Sequence, residues 1–261
     1  AVVFVISELV CVACVPERPV ACDEKPGKIS DMFKALFKND QAMTVVVSII
    51  LVYTSLNICG NLVLYFFRFD VGNEGAYSIF AAVAFAAQVL VMMVIPLLRK
   101  RFSKSQLFIS GFIIQIAGFA VILIMAFAKL YTPQSWYILC LPGILIYLGY
   151  GMLNVIMTIF LSDSVDYGEV MNGTREESVI FSMQTFTVKL ASGVAVFLAG
   201  LVVDWIHLDT AAAVQTQDTL DALRMWMTIP SVILLIVGIF VFKRFYKLDD
   251  ARMEEIKSKL N

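Results

Sequence analysis

The chain has 261 residues, of which 60% are hydrophobic and only 16% are charged, and its net charge is −1. A soluble domain is nearer half apolar and a quarter charged, so the composition excludes an ordinary soluble domain. The near-neutral charge gives no indication of a nucleic-acid partner, and we expect none. The apolar residues fall in long runs, which are typical of transmembrane helices.

The chain opens on an apolar run, AVVFVISELVCVACV, within residues 1–16. The run lacks the basic start and the small-residue cleavage site of a signal peptide. We interpret it as the end of a truncated transmembrane helix and expect the chain to be part of a longer one. A connection over 17–41 follows, and its segment KISDMFKALFKN (28–39) predicts either an amphipathic helix in the membrane interface or an ordinary surface helix.

Apolar spans long enough to cross a bilayer, each of about 20 residues or more, follow this connection. Because a backbone in lipid must satisfy its own hydrogen bonds, each span is expected to be a helix. They predict a six-helix bundle over 42–246, followed by a tail over 247–261. The spans are 42–67, 76–98, 105–128, 136–161, 178–203 and 222–242.

Lysine and arginine are distributed unevenly over the connections between spans. Most of them lie in the first connection, the turn 99–104 and the tail. The alternate connections hold Arg68 and Lys129, and Arg224 stands at the start of the last span. Since basic connections stay in the cytoplasm, this pattern predicts a cytoplasmic carboxy-terminus.

The first full span carries polar residues at every fourth position. Tyr53, Asn57, Asn61 and Tyr65 form one stripe on one helix face. Such a stripe is compatible with two roles, hydrogen bonding to a neighbouring helix and the lining of a wet cavity.

A second polar stripe runs along the span after 178 and contains a charge. Ser178, Ser182, Thr185, Lys189 and Ser192 follow each other in steps of four and three. The lysine lies 12 residues beyond Glu177, so about 18 Å from the cytoplasmic end and near the middle of the membrane. An ammonium there needs a carboxylate, a ligand hydroxyl or water. We interpret it as lining a functional cavity; the alternative is a structural ion pair with another helix.

The span before it adds Tyr147, Tyr150, Asn154 and Thr158. Aromatic rings, amides and one ammonium suit a polyhydroxylated ligand, although they also suit other polar solutes. The only histidine, His207, lies far from any nucleophile and acid pair, and no phosphate-binding loop is present. The sequence therefore predicts that the chain is not an enzyme.

Motifs in the second half of the chain resemble those of a transporter family. DSVDYGE (163–169), NGTREES (172–178) and SMQTFTVKLASGV (182–194) are similar to the glycoside–pentoside–hexuronide:cation symporters, the family of the melibiose carrier. The pattern Y-K-L-x-x-x-R-M-x-x-I after the last span also matches. The resemblance covers nearly the whole chain and implies the carboxy-terminal half of a protein with the major facilitator fold.

The resemblance implies an all-α integral membrane protein of two six-helix halves that takes up a sugar or glycoside by alternating access. Na⁺ or H⁺ would be the coupling cation, with its main site on the missing amino-terminal half, no metal site in this half and no other cofactor. The expected partners are the sugar, the lipid bilayer and that missing half. The expected location is the bacterial inner membrane.

The resemblance also implies which residues bind substrate. Lys189 matches a family lysine near the sugar and cation sites, and Gln184 and Thr185 match positions that face the same cavity. Asn154 stands where the melibiose carrier has a tryptophan, and this departure bears on sugar specificity. The predicted substrate-binding residues are Lys189, Thr185, Gln184, Asn154, Thr158, Asn57, Asn61 and Tyr53.

The acidic segment 161–178 is interpreted as a hinge that carries a cytoplasmic gate. The resemblance implies that its charges form a network that holds the cytoplasmic side shut in one state and opens in the other. The alternative is a topological anchor that keeps a short loop in water. The predicted gate residues are Asp163, Asp166, Glu169, Arg175 and Lys104.

Two other functions remain open at this point. A lysolipid or other amphiphile carrier on the same scaffold would need a wide apolar slot open to lipid. A non-transporting membrane sensor would bind its ligand without flux.

Overall fold

The computed structural model describes residues 37–173, 175, 177–212 and 214–260, together with the isolated helical positions 5, 10 and 14; the side chains of 257, 259 and 260 are not described. The predictions for the helix over 1–16 and for the amphipathic segment 28–39 therefore lie almost wholly outside the described residues. Within the described part, all regular structure is helical.

Six of the described helices are long and apolar enough to cross a membrane, which confirms the predicted all-α membrane bundle. A seventh, shorter helix follows them. The helices are α1 (Asp40–Tyr65, continued by a π-helix over Phe66–Val71), α2 (Ala76–Leu98), α3 (Lys104–Phe127), α4 (Cys140–Asn172, preceded by a 3₁₀ turn over Trp136–Leu139), α5 (Glu177–Trp205), α6 (Gln217–Phe245) and α7 (Asp250–Leu260).

The hinge predicted over 161–178 is shorter than expected, because the first part of this segment is helical. Helix α4 continues beyond the expected end at 161 to Asn172, and Gly173 ends it with a left-handed φ of 73°. Asp163, Asp166 and Glu169 thus stand on the last turns of a helix. Hydropathy indicates where a span leaves the membrane, but the helix itself can continue in water until a capping residue ends it. The end of the apolar span and the end of the helix therefore differ here.

The two ends of the bundle are identified by hydrogen bonds between its helix termini. Gln41, at the start of α1, donates through Nε2 to the carbonyl of Phe245 at 3.3 Å and accepts from the backbone N–H of Lys247 at 2.8 Å. Asn39 donates to the carbonyl of Ser164 at 2.8 Å. We call this end of the bundle the motif end, because the sequence DSVDYGE begins there at Asp163 of α4.

Contacts at the opposite end complete the alternation of helix directions. Lys129, after α3, donates to Gln217 at the start of α6 at 3.2 Å. Asn73, after α1, donates to the carbonyl of Pro133 at 3.1 Å. The start of α1 and the end of α6 therefore lie together, as an even number of crossings requires.

Helix α1 is the centre of the bundle and packs on α4, α5 and α6. Its contact with α6 includes a reciprocal pair of hydrogen bonds. Ser231 donates to the carbonyl of Ser55 at 2.8 Å, and Ser55 donates to the carbonyl of Ser231 at 3.1 Å. Both side chains are buried, so their hydroxyl groups join two helices in surroundings where they need a partner.

Helix α7 docks on the bundle instead of lying free. Its Met253 and Ile256 are buried with Leu248 against Tyr167 of α4 and Tyr246. This amphipathic helix therefore covers the motif end of the bundle.

Helices α3 and α4 approach each other most closely at glycines. A Cβ atom added to Gly149 would lie 2.6 Å from the backbone nitrogen of Gln115 and 2.6 Å from the carbonyl oxygen of Gly111. A Cβ added to Gly118 would lie 2.7 Å from the backbone nitrogen of Ile146. Absent side chains let the two backbones touch.

We expect Gly149→Ala to lower the unfolding temperature of the detergent-solubilised protein, because the new methyl group meets backbone that cannot rotate away. The loss should be about 1–3 kcal/mol, the usual cost of overpacking. Gly200→Ala in α5 is the matched control, since a Cβ there meets nothing within 4 Å. Equal unfolding temperatures for the two variants would contradict the close α3–α4 contact.

Candidate functional site

Helix α5 presents three different faces. Thr187, Ala191 and Ala195 recur every four residues, are buried, and form the face that packs on the bundle. Leu190 lies on an exposed apolar face, and Lys189 lies about 100° away from it on an exposed polar face. The helix thus separates a surface that suits lipid from a surface that suits water.

Lys189 is exposed and lies near the middle of α5. In the part of the chain that the structure describes, its ammonium makes no hydrogen bond and no ion pair. The alternative of a structural ion pair with another helix of this bundle therefore finds no partner among the described residues. An unpaired ammonium at this depth requires water, a ligand or a neighbouring protein.

The polar face of α5 is joined to α1 through Asn57. Ser192 donates from Oγ to Oδ1 of Asn57 at 3.1 Å. Asn57 donates to the carbonyl of Tyr53 at 2.7 Å, and Asn61 donates to the carbonyl of Asn57 at 2.7 Å. One asparagine therefore bridges two helices, and both remain half-buried along the same stripe.

Helix α4 joins the same surface through Asn154. Its amide donates to the hydroxyl of Tyr53, and the ring of Tyr53 packs edge-to-face on Tyr150, with centroids 5.5 Å apart. Thr158, one turn further along, is exposed and bonds the carbonyl of Asn154 at 3.2 Å. The side chains of three helices are thus brought together.

We call this arrangement the polar surface. Its members are exposed or half-buried, and Lys189 is the charged residue among them. They are Tyr53, Asn57 and Asn61 of α1, Asn154 and Thr158 of α4, and Thr185, Lys189 and Ser192 of α5.

Gln184 is the predicted binding residue that does not fit this surface. It lies about 140° around α5 from Lys189, close to the line of the buried Thr187 and Ala191. It is half-buried and faces the packing side of the helix. A sequence motif includes neighbouring residues regardless of the helix face, which is why the resemblance grouped Gln184 with Thr185.

The predicted gate residues divide into two separate clusters. In the first, Lys104 of α3 pairs with Asp163 of α4, and both side chains are buried. The Nζ of Lys104 also lies 3.4 Å from Asp250 of α7, which Arg99 contacts at 3.4 Å. Burial alone raises the pKa of Asp250, but the two cations outweigh it and hold that pKa below its usual value. This cluster, in which the Lys104–Asp163 pair is buried, ties α3, α4 and α7 together within one bundle.

The second cluster is exposed and surrounds Arg175. Its guanidinium donates to Glu169 at 2.8 Å, to Asp166 at 3.1 Å and to Glu177 at 3.1 Å. These hydrogen bonds, that to Glu169 first, raise the pKa of Arg175. An exposed pair contributes about 0–1 kcal/mol, so bonds of this kind can form and break.

A buried ion pair at the opposite end was missed by sequence reasoning, which used Arg224 only for orientation. Arg224 is 2% exposed and holds Asp70 by two bonds, at 2.6 and 2.8 Å. Asp70 also accepts from the hydroxyl of Tyr131 at 2.6 Å, and Asp221 contacts Arg224 at 2.7 Å. The signal was available: an acid ends one span and a base begins another, and each is costly unless paired.

We expect Lys104→Met to destabilise the solubilised protein strongly, because it leaves the buried carboxylate of Asp163 without its cation. Removal of one partner of a buried pair costs about 3–5 kcal/mol. Replacement of both, in Lys104→Met with Asp163→Leu, should restore much of the unfolding temperature. Arg175→Gln is the exposed control and should change it little. A Lys104→Met variant as stable as Arg175→Gln would contradict the buried pair.

Comparison with known proteins gives a family. A family model described as MFS/sugar transport protein matches residues 1–250. The chain is 25% identical to "Uncharacterized symporter YjmB" of Bacillus subtilis (strain 168), over 97% of this chain and 54% of that protein. It is 23% identical to "Raffinose carrier protein" of Pediococcus pentosaceus, over 89% of this chain and 35% of that protein. It is 25% identical to "Isoprimeverose transporter" of Lactiplantibacillus pentosus, over 87% and 46%. The chain thus spans about half the length of these relatives, or less.

Proposed function

Because the chain belongs to the MFS/sugar transport protein family, we propose that its bundle is the carboxy-terminal half of a carrier that moves a sugar or glycoside across a bacterial plasma membrane. The observation that carries this proposal is the polar surface on α1, α4 and α5. The expectation of a transporter in place of an enzyme agrees with the family, which is one of transport proteins.

The chemistry of the polar surface supports a sugar as the ligand. A sugar offers many hydroxyl groups, each a donor and an acceptor, and faces made of C–H groups. Lys189 supplies a donor, the amide of Asn61 supplies both kinds of group, and Tyr53 supplies an aromatic ring. "Raffinose carrier protein" and "Isoprimeverose transporter" are names of relatives that fit this substrate class.

The exposure of Lys189 supports a second bundle beside this one. An ammonium near the middle of the membrane is costly against acyl chains. The apolar face that contains Leu190 already suits lipid, so the polar face is better matched by a hydrated cavity between two bundles. The three relatives named above are roughly twice as long as this chain or longer, which accommodates another bundle.

Cation coupling and alternating access are the finer parts of the proposal. Na⁺ or H⁺ would bind mainly on the other half, and cation and sugar would favour the same closed state, which couples their fluxes. The exposed Arg175 cluster suits a gate that breaks and reforms, whereas the buried Lys104–Asp163 pair suits a permanent fastening. The basic connections at the motif end support its cytoplasmic orientation.

One observation favours a second candidate, an amphiphile carrier. A groove of about 730 Å³ runs between α1, α5 and α6, and Thr54 is its polar lining residue among apolar ones such as Ile58, Leu198 and Ile229. It is an apolar slot of the kind that acyl-chain cargo needs. It lies beside Val194 and Leu198, however, on the other side of α5 from Lys189, so the polar surface would be left unexplained.

We expect Lys189→Ala in the complete carrier to abolish sugar accumulation while expression stays normal, because the cavity loses the ammonium group of the lysine. Accumulation and counterflow of a panel of glycosides, each with and without sodium, measure this. Lys100→Ala, at an exposed lysine of the turn after α2, is the matched control and should transport normally.

Normal accumulation by Lys189→Ala would contradict the role of the lysine. Sugar binding without counterflow in the wild type would indicate a sensor. Counterflow of lysolipid but of no glycoside would indicate the amphiphile carrier.

A further inference from the structure

Tyr53 occupies the centre of the polar surface. Its hydroxyl is bonded by Asn154 on α4. Its carbonyl accepts from Asn57, the residue that Ser192 ties to α5. The side chain of Tyr53 therefore contacts α4, and its carbonyl bonds the asparagine that contacts α5.

The ring of Tyr53 is held in one orientation by contacts at two places. Asn154 fixes the hydroxyl end, and Tyr150 packs edge-to-face at 76° with centroids 5.5 Å apart. Tyr150 is itself buried and meets Tyr147 at 6.4 Å. Tyr53 remains half-buried, so part of its side chain stays accessible from the polar surface.

From this geometry we infer that Tyr53 is a fixed aromatic platform for the C–H face of a cyclic sugar, and that Asn154 and Tyr150 are positioning residues which hold that platform. The inference rests on the proposed sugar-carrier function and names the feature of the substrate that this half selects.

The physical basis is the charge distribution of the ring. An aromatic face is weakly negative and attracts the weakly positive C–H groups on one side of a pyranose or furanose. A ring that is already immobilised loses little conformational freedom when the sugar binds, so more of the contact appears as affinity. Lys189 and Asn61 of the polar surface then remain available for the hydroxyl groups at the edge of the sugar.

The inference assigns Asn154 a different role from direct sugar contact. One amide N–H of Asn154 is committed to Tyr53, and its effect on affinity should pass through that ring. Loss of the Asn154 amide and loss of the Tyr53 hydroxyl should then be the same change. Such coupling is measured by a double-mutant cycle.

The experiment uses the complete carrier and measures the half-saturation concentration for counterflow of a transported glycoside. Tyr53→Leu should raise it about tenfold, the scale of one aromatic contact. Tyr53→Phe keeps the ring and should raise it only about threefold, the scale of one hydrogen bond. Tyr53→Trp should stay close to Tyr53→Phe. Tyr137→Leu is the matched control at an exposed tyrosine outside the site and should leave it unchanged.

The cycle tests the positioning residue. Asn154→Ala should match Tyr53→Phe, and the double variant should be no weaker than either single variant. A purely structural effect would instead lower the maximal counterflow rate, which should stay unchanged.

Three results would overturn the inference while the proposed function stands: unchanged half-saturation in Tyr53→Leu, equal losses in Tyr53→Leu and Tyr53→Phe, or multiplied losses in the double variant. Absence of counterflow for every glycoside in the wild type would instead end the proposed function, and this inference with it.

Discussion

The ammonium of Lys189 determines which face of α5 can border lipid and which must border water. A charge near the middle of a membrane helix is tolerated only where it meets water, an opposite charge or a ligand. Helix α5 keeps this charge off its packing face, which is built from Thr187, Ala191 and Ala195, and off the apolar face of Leu190. The remaining face is joined to α1 by the bond of Ser192 to Asn57, and α1 is joined to α4 by the bond of Asn154 to Tyr53, so the charge borders a broad polar surface.

Other charged side chains inside or beside the spans are buried and paired with an opposite charge, as expected for ion pairs that stabilise the fold. Arg224 and Asp70 are buried against each other with two short bonds, and Lys104 and Asp163 are buried as a pair. Each such ion has its counter-charge within this bundle, which is what burial demands. Lys189 differs because it has no such partner among the described residues. This contrast, more than the presence of a lysine alone, supports a cavity role.

Sequence periodicity predicted the six membrane helices and most of the polar surface, because both depend on the spacing of residues along one helix. The stripe through Asn57 and the stripe through Lys189 needed only that spacing. The length of α4 could not be found in this way, since its last turns leave the membrane and carry Asp163 in a helix of ordinary polarity. Periodicity also could not predict contacts between helices that are distant in sequence. Such contacts depend on how the helices pack, as in the pairs Arg224 with Asp70 and Lys104 with Asp250. The resemblance implied a substrate-binding role for Lys189, but it did not show that Gln184 and Thr185 lie on different faces of α5.

The arrangement of α5 requires that its polar face borders water while its apolar face borders lipid. This can be tested by the reaction of single cysteines with a charged, membrane-impermeant thiol reagent applied to both sides of vesicles that contain the complete carrier. The carrier's native cysteines, five of which lie in this chain, are replaced first. We expect Thr185→Cys to react and to be protected by a transported glycoside, whereas Leu190→Cys should not react. An unreactive Thr185→Cys, or equal reaction at both positions, would contradict this arrangement.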